Sequence, residues 1–415
     1  MDPRRHETVI VGAGPVGMML AWQLASNGIQ VRVLERHPDF KREFRGELMQ
    51  RSVIDELEKA GIFRLLLERG LALPSVERRM YVGLERRVQI PGPVEVGAII
   101  SQPGLLGLLH ELCSVFPHYR LDFGTTALEA IRRDGRVAAL KTRRQQSEGQ
   151  IEGDLFIVCN GRNSTLRKSC GLETETFPST ADALWLRFDF SDAPGAVPTS
   201  LNVHMFGKGV VTVLSPSSAN RLHIAYSAPG DLGRLRKDLP ALRRALLPTL
   251  SGEVRRLVDA KLDEHTESQM LKIIVDRVRC WHAPGILFLG DAAHTMSPSG
   301  GQGLNVAIRD TFVAANVLIP RLQCGDAIDS QVMQQIQDEL QPEITVLQKN
   351  QTRAAQMVLK PAPVLHLMMT MLGMAMTVMG RKIRAGHGIA PPVPKYLTPV
   401  DPRGSPGDPP RVADA

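Results

Sequence analysis

Hydrophobic positions near the start of the chain follow the period of a strand, then that of a helix, then that of a strand again. The β-branched run at residues 8–11 predicts a short buried strand. A helical pattern follows and stops at Asn27 and Gly28, and residues 31–34 resume a strand. This alternation predicts an α/β unit with a parallel sheet.

Between residues 121 and 227 the pattern is mostly that of strands. Residues 121–149 read as strands joined by a turn at Asp134 and Gly135, a pair typical of a hairpin. The strand pattern continues in four alternating segments, residues 184–190, 201–206, 210–214 and 221–226. Turn residues separate these segments, which therefore predict an antiparallel sheet.

Helical patterns dominate the rest of the chain. Residues 232–262 are predicted as an Arg-rich helical cap across the sheet, and residues 331–356 as a long polar helix. The Met-rich apolar run at residues 363–379 is somewhat short for the roughly 20 residues of a transmembrane helix. It predicts a helix buried on the first domain, an amphipathic membrane anchor or, third, a true span. The Pro-rich tail from residue 390 is expected to be extended or disordered.

The composition is that of a globular protein. The chain has 415 residues, 43% of them hydrophobic, which is enough for two joined domains. Its net charge of +7 is dispersed and only 5% of its residues are aromatic, which argues against a nucleic-acid partner. Its 5 cysteines form no Cys-x-x-Cys pair, which argues against a disulfide framework or a metal site. Without an apolar leader behind a basic head, a cytoplasmic location is expected.

The turn after the first predicted strand is rich in glycine. Its residues are Gly12, Gly14, Pro15, Val16 and Gly17, in the pattern G-x-G-x-x-G. The carboxylate of Glu35 stands at the end of the second strand. This order predicts a dinucleotide site, because the glycines let the backbone approach a pyrophosphate and the acid binds ribose hydroxyls. The motif alone does not distinguish NAD from FAD.

A second glycine-rich stretch follows the apolar run at residues 286–289, which predicts a buried strand. Its main residues are Gly290, Asp291, His294, Pro298, Gly301, Gln302, Gly303, Leu304 and Asn305. Asp291 stands at the end of the strand, where open α/β sheets bind ligands. The glycines let bare backbone approach a flat ligand, and the next helix directs its free N–H groups to the same place, where negative charge is favoured.

This second stretch resembles the second flavin motif of class A flavin monooxygenases, the para-hydroxybenzoate hydroxylase family. The resemblance implies an α/β fold: a Rossmann-like FAD-binding domain interrupted by a mainly antiparallel β-sheet substrate domain, with C-terminal helices. The FAD-binding domain is expected over residues 1–75, 101–178 and 276–330. The substrate domain is expected over residues 76–100 and 179–275, followed by helices over residues 331–390 and the tail, residues 391–415.

The resemblance also implies FAD as the cofactor, with NADH or NADPH as a transient co-substrate because the chain has no second G-x-G-x-x-G. In the family an arginine at the position of Arg45 reaches the cofactor. A polar residue at the position of Gln102 holds the ribityl chain or a phosphate. Arg36 either contacts the adenosine or is solvated. Asp291 is expected to help seat the flavin, while the loop from Pro298 and the helix after Gly303 are expected at the charged N1–C2=O edge of the reduced flavin.

The stretch at residues 154–167 looks like the middle motif of the family, which serves both FAD and the approach of NAD(P)H. In the family this motif has Asp-Gly after its strand, whereas here Asn160 precedes Gly161. Asparagine keeps hydrogen-bonding capacity but lacks the charge that holds a cationic donor strongly. The docking of the nicotinamide is therefore left open.

The implied reaction is hydroxylation or epoxidation of an electron-rich ring, in which reduced FAD binds O₂ at C4a and the hydroperoxide delivers oxygen. The Leu, Val, Phe and Met content of the predicted sheet favours an apolar aromatic substrate, such as a polyketide, quinolone or quinone of secondary metabolism. Candidate groups for proton transfer or substrate orientation are His204, His223, Tyr226 and Pro298. The strand period does not say which face of the sheet is inward.

Two other functions stay open. A flavin reductase or halogenase could share the fold, although Trp22, Trp185 and Trp281 are isolated and form no halogenase Trp-x-Trp-x-Ile-Pro run. A non-catalytic flavin-binding protein is suggested only by Asn160. A weak membrane association through residues 363–385 would suit a lipid-tailed substrate and would make the cytoplasmic protein peripheral to the membrane.

Overall fold

The computed structural model describes residues 7–41, 47–83, 88–89, 95–178, 182–193, 195, 197–218, 220–250, 252–298, 300–378 and 393–400. Arg45, which the resemblance assigns to the cofactor, lies outside the described residues.

The strands of the described residues are, in chain order, β1 (Thr8–Val11), β2 (Val31–Leu34), β3 (Leu48–Gln50), β4 (Ala72–Val82), β5 (Val88–Gln89), β6 (Glu95–Ile100), β7 (Tyr119–Asp122), β8 (Thr125–Arg133), β9 (Arg136–Arg144), β10 (Ser147–Glu152), β11 (Leu155–Val158), β12 (Thr174–Phe177), β13 (Ala183–Asp189), β14 (Leu201–Gly207), β15 (Val210–Ser218), β16 (Arg221–Ser227), β17 (Ser268–Leu271), β18 (Val275–Val278), β19 (His282–Ala283) and β20 (Ile286–Phe288).

The helices are α1 (Pro15–Ser26), α2 (Arg51–Lys59), α3 (Ile62–Glu68), α4 (Gln102–Ser114), α5 (Thr165–Ser169), α6 (Leu232–Lys237), α7 (Leu239–Leu246), α8 (Gly252–Lys261), α9 (Gly303–Cys324), α10 (Ser330–Val358) and α11 (Ala362–Val378). Short 3₁₀ turns occupy Leu247–Thr249 and Gly290–Ala292.

A six-stranded sheet with the order β19-β20-β11-β1-β2-β7 forms the centre of the first domain. Its strands run parallel except β19. The apolar strands pack against α1, α4 and α9 in one large core that includes Trp22, Phe156 and Phe288. In this sheet β1 has β2 on one side and β11 on the other. The strand order reverses at this point, and folds of this kind bind their ligands in the crevice at the ends of the two strands β1 and β11.

The second sheet has nine strands in the order β17-β13-β16-β15-β14-β4-β6-β3, with β5 paired to β4. The four predicted antiparallel segments are its strands β13 to β16, and only the pairing of β14 with β4 departs from that pattern by being parallel. Helices α6 to α8 cover one face, where Leu186, Ile224 and Leu246 share a core. The helical cap is thus confirmed. β3 belongs to this sheet although it falls within residues 1–75, which were assigned to the first domain.

The predicted hairpin turn at Asp134 and Gly135 joins β8 to β9, and both residues have positive φ, 50° and 77°. Those angles explain the Asp-Gly pair, since hairpin turns of this kind need left-handed backbone.

The C-terminal part differs from one expectation. The tail was expected to be extended or disordered, but Tyr396, Leu397 and Val400 are buried in the first core. Asn27 Nδ2 donates to Tyr396 O at 3.1 Å, and Val400 N donates to Ala60 O at 2.8 Å. Three apolar side chains, one side-chain hydrogen bond and one backbone hydrogen bond hold this short segment in place despite its proline-rich surroundings.

The alternative of a helix buried on the first domain is wrong in its location, because α11 lies across the β4 and β14 end of the second sheet. Leu365 and Met369 are buried against Val82 and Met205. The opposite side of the helix exposes Val364, Leu367, Met368, Met371 and Met374. Among the described residues, none of the helices combines the length and hydropathy that crossing a bilayer requires.

Candidate active site

The ends of three neighbouring parallel strands meet in the first domain. Gly12 follows β1 with φ 104°, and a Cβ on it would lie 2.7 Å from Cys159 O and 2.8 Å from Asn160 Cα at the end of β11. A Cβ on Gly17 would lie 1.9 Å from Gly12 O. Only glycine fits at either position, so the sequence makes a tight turn and leaves the N-terminus of α1 as bare backbone.

Glu35 is buried beside this turn. Its Oε2 accepts a hydrogen bond from Ala13 N at 2.7 Å, and its Oε1 accepts from His37 N at 3.0 Å. A carboxylate oxygen can accept more than one hydrogen bond, so both oxygens keep capacity for a ligand hydroxyl. Arg36 is exposed, and its Nε donates to His37 Nε2 at 3.1 Å.

Asp291 follows the third strand, β20. Gly290 has φ 59°, and a Cβ there would lie 2.8 Å from the side chain of Val16 in α1. Glycine therefore lets this turn sit against α1 and next to the first glycine-rich turn. The side chain of Asp291 is 34% exposed and lies 3.9 Å from Arg162 Nη2. It is available to a ligand in the crevice.

The loop around Gly300 and Gly301 approaches the second sheet. Gly300 and Gly301 have φ of 82° and 62°, and a Cβ on Gly301 would lie 2.9 Å from the Leu48 side chain. Pro298 is exposed, and its carbonyl accepts from Gly301 N at 3.0 Å. Gln302 is the residue before α9, which begins at Gly303. The loop therefore presents bare backbone and a helix N-terminus, as predicted from its glycines.

The side-chain amide of Asn305, in the first turn of α9, links this loop to β3. Its Nδ2 donates to Leu48 O at 3.1 Å and to Gly301 O at 2.9 Å, and its Oδ1 accepts from Gln50 N at 2.7 Å. The side chain was predicted in the cofactor group, and the structure uses its amide to join β3 to the loop. Its neighbours Gln302, Gly303 and Leu304 are half-buried.

A buried arginine, Arg167, holds the Asp291 turn from behind. Its Nε donates to Ala292 O and its Nη2 to Asp291 O, both at 2.6 Å, while its Nη1 lies 2.9 Å from Asp276 Oδ2. The guanidinium therefore fixes the backbone that carries Asp291. Its place in the middle motif was visible in the sequence, but this contact with the second motif was not.

Two glutamines of α10 donate to or accept from backbone groups beside the Asp291 turn. Gln348 Nε2 donates to Asp276 O and Thr295 O, both at 3.0 Å. Gln351 accepts from Ser297 N at 3.0 Å and donates to Ser297 O at 3.1 Å. The sequence analysis missed these contacts, because a glutamine in a polar helix gives no sign that its amide will bind backbone.

The crevice fits FAD. Bare backbone at Gly12 and at the start of α1 suits a pyrophosphate, and Glu35 suits ribose hydroxyls. Asn160 Oδ1 is buried between the turns and has no hydrogen-bond partner among the described residues, so it can accept from a ligand. Gln102 is buried at the start of α4. Asp291 and the N-terminus of α9 would lie on the isoalloxazine side.

Strand register places the three proton-transfer candidates of the second sheet on two different faces. Thr212 pairs with both His204 and Tyr226, which therefore share one face. Tyr226 lies in the core under the helical cap, and burial raises its pKa. The ring of His204 stacks on Tyr81 at 4.8 Å between centroids. His223 is on the opposite face of the sheet.

That opposite face meets Glu47, a residue that the sequence analysis did not single out. His223 Nδ1 lies 3.7 Å from Glu47 Oε2. Glu47 precedes β3, at the far edge of the sheet in strand order, so the sheet must curve strongly to bring it to β16. Burial raises the pKa of Glu47 to about 7, and burial lowers the pKa of His223 to about 4. The sequence offered one weak signal, a lone acid before the apolar pair Leu48 and Met49.

Fold and site together define a flavin monooxygenase of class A. Residues 5–334 match the family described as FAD binding domain, and the chain belongs to this family. It is an FAD-dependent monooxygenase, as the resemblance implied. The expected combination of a parallel-sheet domain with a second sheet is confirmed.

Relatives with known names support this assignment. 6-Methylpretetramide 4-monooxygenase of Streptomyces rimosus is 28% identical over 342 residues, covering 78% of each chain. Rifampicin monooxygenase of Streptomyces venezuelae is 27% identical over 330 residues, covering 74% of this chain and 62% of that protein. The solved structure of p-nitrophenol 4-monooxygenase PnpA from Pseudomonas putida DLL-E4 has a TM-score of 0.75 at 16% identity, covering 91% of this chain and 96% of that one.

Proposed function

We propose that this monooxygenase uses NADH or NADPH and O₂ to hydroxylate or epoxidise an apolar aromatic secondary metabolite of polyketide, quinolone or quinone type. The observation that carries the proposal is the face of the second sheet opposite the helical cap. Trp185, Val213 and Ala225 are only partly buried on this face. Leu48, at the edge of the sheet, contacts the loop around Gly300 and Gly301, which we call the flavin loop. Apolar and aromatic side chains of this kind suit a planar apolar ligand.

The names of two relatives agree with this substrate class, since they are monooxygenases of 6-methylpretetramide and of rifampicin. When bound, FAD supplies the electron transfer from NAD(P)H to O₂ that oxygenation needs. The chain's own contribution is to bind and orient. The start of α1 and Glu35 hold the dinucleotide, and the N-terminus of α9 stabilises negative charge by on the order of 0.3–2 kcal/mol.

The test is anaerobic mixing of the FAD-bound protein with NADH or NADPH while flavin absorbance is followed. Each mixture is made alone and with β-naphthol, an alkylquinolone or emodin. We expect one nicotinamide to bleach the flavin and one aromatic to accelerate the bleaching at least tenfold. With isotopically labelled O₂, the product should then carry one labelled oxygen.

A surface variant, Glu148→Gln, replaces an exposed acid of β10 that pairs with Lys141 of β9, and it should bleach and oxygenate as wild type does. Absence of bleaching with every combination would contradict the proposal and would favour another electron donor, as the replacement of the usual aspartate by Asn160 could cause. Bleaching without oxygen transfer to any aromatic would contradict the substrate class.

The exposed side of α11 supports a second proposal, that the protein binds weakly to an anionic lipid surface. Leu367 is 62% exposed and Met371 is 59% exposed, and large apolar side chains of this kind insert into the interface of a bilayer. The sequence adds basic residues on both sides of the run, Lys360 before it and Arg381, Lys382 and Arg384 after it. Such residues attract anionic headgroups.

A further inference from the structure

A cluster of polar side chains lies on the apolar face described above. Glu47 approaches His223 at 3.7 Å and has a hydrogen bond with Ser217 of β15. On the other side of the imidazole, Arg187 Nε lies 3.4 Å from His223 Nε2. The side chains of His223 and Glu47 are 3% and 13% exposed. A buried acid beside a buried imidazole is unusual on a surface that otherwise suits an apolar ligand.

The chain places this cluster next to the flavin loop. Leu48 packs against Gly301, and Gln50 N donates to Asn305 in the same loop. Glu47 is the residue immediately before Leu48, and its side chain reaches the substrate sheet instead. One short segment therefore touches the flavin loop and, one residue earlier, holds a carboxylate on the substrate face.

We propose that Glu47 is a catalytic base that accepts the proton of a substrate hydroxyl, and that His223 and Arg187 position it. The inference rests on the proposed function and narrows its substrate class to phenols and enols. The ring carbon to be oxygenated would lie ortho or para to that hydroxyl, since those carbons gain electron density when it loses its proton.

This proton transfer precedes oxygen transfer in the monooxygenase reaction. The substrate O–H bond breaks, its proton bonds to a Glu47 oxygen, and its electron pair stays on the substrate oxygen and raises the electron density of the ring. O₂ is the oxidant and NAD(P)H the reductant. After oxygen transfer the ring carbon loses its hydrogen as a proton to water and aromaticity returns. The proton on Glu47 goes back to the substrate oxygen, and the second oxygen atom of O₂ leaves as water.

The charges around Glu47 favour this role near neutral pH. Burial raises its pKa to about 7, although the Ser217 hydrogen bond and the charges of Arg187 and Arg221 lower it. His223 stays neutral there, because burial and the same two arginines hold its pKa at about 4. A base whose pKa lies close to the working pH is the most effective one.

The experiment compares β-naphthol with its methyl ether, which has no proton to lose. Product formation is measured across pH for wild type, Glu47→Gln, Glu47→Asp and Arg187→Gln, and flavin bleaching by NAD(P)H is followed in each. Wild type should hydroxylate only the naphthol, with a rate that rises through about pH 7. Glu47→Gln should lose this rise and be slower by roughly 10²–10⁴-fold.

Glu47→Asp should keep the rise, and Arg187→Gln should move it to higher pH, because a positive charge that lowers the pKa of Glu47 is gone. The control is Glu267→Gln, an exposed acid on the outer side of Arg187, which should keep the rise. Wild type that bleaches but does not distinguish naphthol from ether, or Glu47→Gln that keeps the rise, would overturn the inference. Failure of wild type to bleach at all would instead refute the proposed function.

Discussion

Glu47 carries a cost in stability that depends on pH. Its pKa in the fold is about 7, raised from 4.5 by burial, so the folded state holds this proton more tightly than the unfolded state does. The stability from that proton is fully present below about pH 4.5 and is lost as pH rises through about 7.

Replacing Glu47 by Gln should therefore help the fold more in alkali than in acid. We expect the free energy of unfolding of Glu47→Gln, relative to wild type, to rise by about 1–3 kcal/mol between pH 5 and pH 8.5. Urea unfolding at both values measures it. The pKa of His223 is lowered, so its contribution to the free energy of unfolding is present above about pH 6.5 and is lost as pH falls towards 4. Wild type and Glu47→Gln share this effect.

Glu267→Gln serves as the control, since its side chain is 63% exposed and its difference from wild type should be flat in pH. An equally flat difference for Glu47→Gln would mean that the Glu47 carboxyl is hydrated in solution.

Some residues of the site could be predicted from the sequence, and others could not. Glu35 and Asp291 could be placed because a short motif fixes a strand end and a turn around each of them. Glu47 and His223 lie far apart in the sequence, before β3 and in β16, and meet only because the sheet curves. His204, Tyr226 and His223 were equal candidates in sequence, and only the register of β14, β15 and β16 separates them.

At the scale of elements, α10 shows how a polar helix can be part of a core. Its apolar residues Met333, Ile336 and Ile344 are buried, and its glutamines bind the backbone of residues 276–297 between them. The helix itself was predicted from its pattern. Its docking was not, because hydrogen bonds from amides to backbone depend on position and leave no periodic signal.

Removing these amides should loosen the flavin loop. Gln348→Ala removes the side-chain donor of Thr295 O and one of the two donors of Asp276 O, which keeps Thr295 N, and we expect a loss of about 1–3 kcal/mol in the free energy of unfolding. Gln351→Ala should cost a similar amount and also speed FAD release, because Ser297 precedes the loop directly. Urea unfolding and the rate of FAD loss on dilution measure the two effects.

Gln335→Ala tests the alternative that any glutamine of α10 matters, since Gln335 is exposed on the same helix. It should change stability by no more than about 0.5 kcal/mol. Equal effects of Gln335→Ala and Gln351→Ala would show that helix propensity, and not the contact with Ser297, is responsible.

At the scale of the whole molecule, the fold could be predicted further than its surface. The resemblance carried by the motifs implied a parallel-sheet domain combined with a mainly antiparallel sheet, and both sheets are present. The C-terminal segments have no such motif. Residues 393–400 dock into the first core by three apolar side chains and several hydrogen bonds, and α11 divides its apolar residues between the sheet and the surface. Composition does not reveal either arrangement.

The exposed side of α11 gives the last prediction. Leu365 and Met369 already hold the helix on the sheet, so Leu367 and Met371 can contact a bilayer without unfolding it. The full-length protein should sediment with vesicles of phosphatidylglycerol and phosphatidylcholine and remain unbound with phosphatidylcholine alone. Binding should weaken as salt rises, because the attraction to anionic headgroups is screened.

The double variant Leu367→Gln with Met371→Gln should lower vesicle binding at least fivefold and leave the thermal unfolding midpoint within about 2 °C, since both side chains are exposed. The matched control is Val346→Gln in α10, an apolar residue that is 53% exposed outside α11. If wild type ignores anionic vesicles at low salt, the lipid proposal is wrong. If Val346→Gln lowers binding as much as the double variant, the surface that binds lipid is not α11.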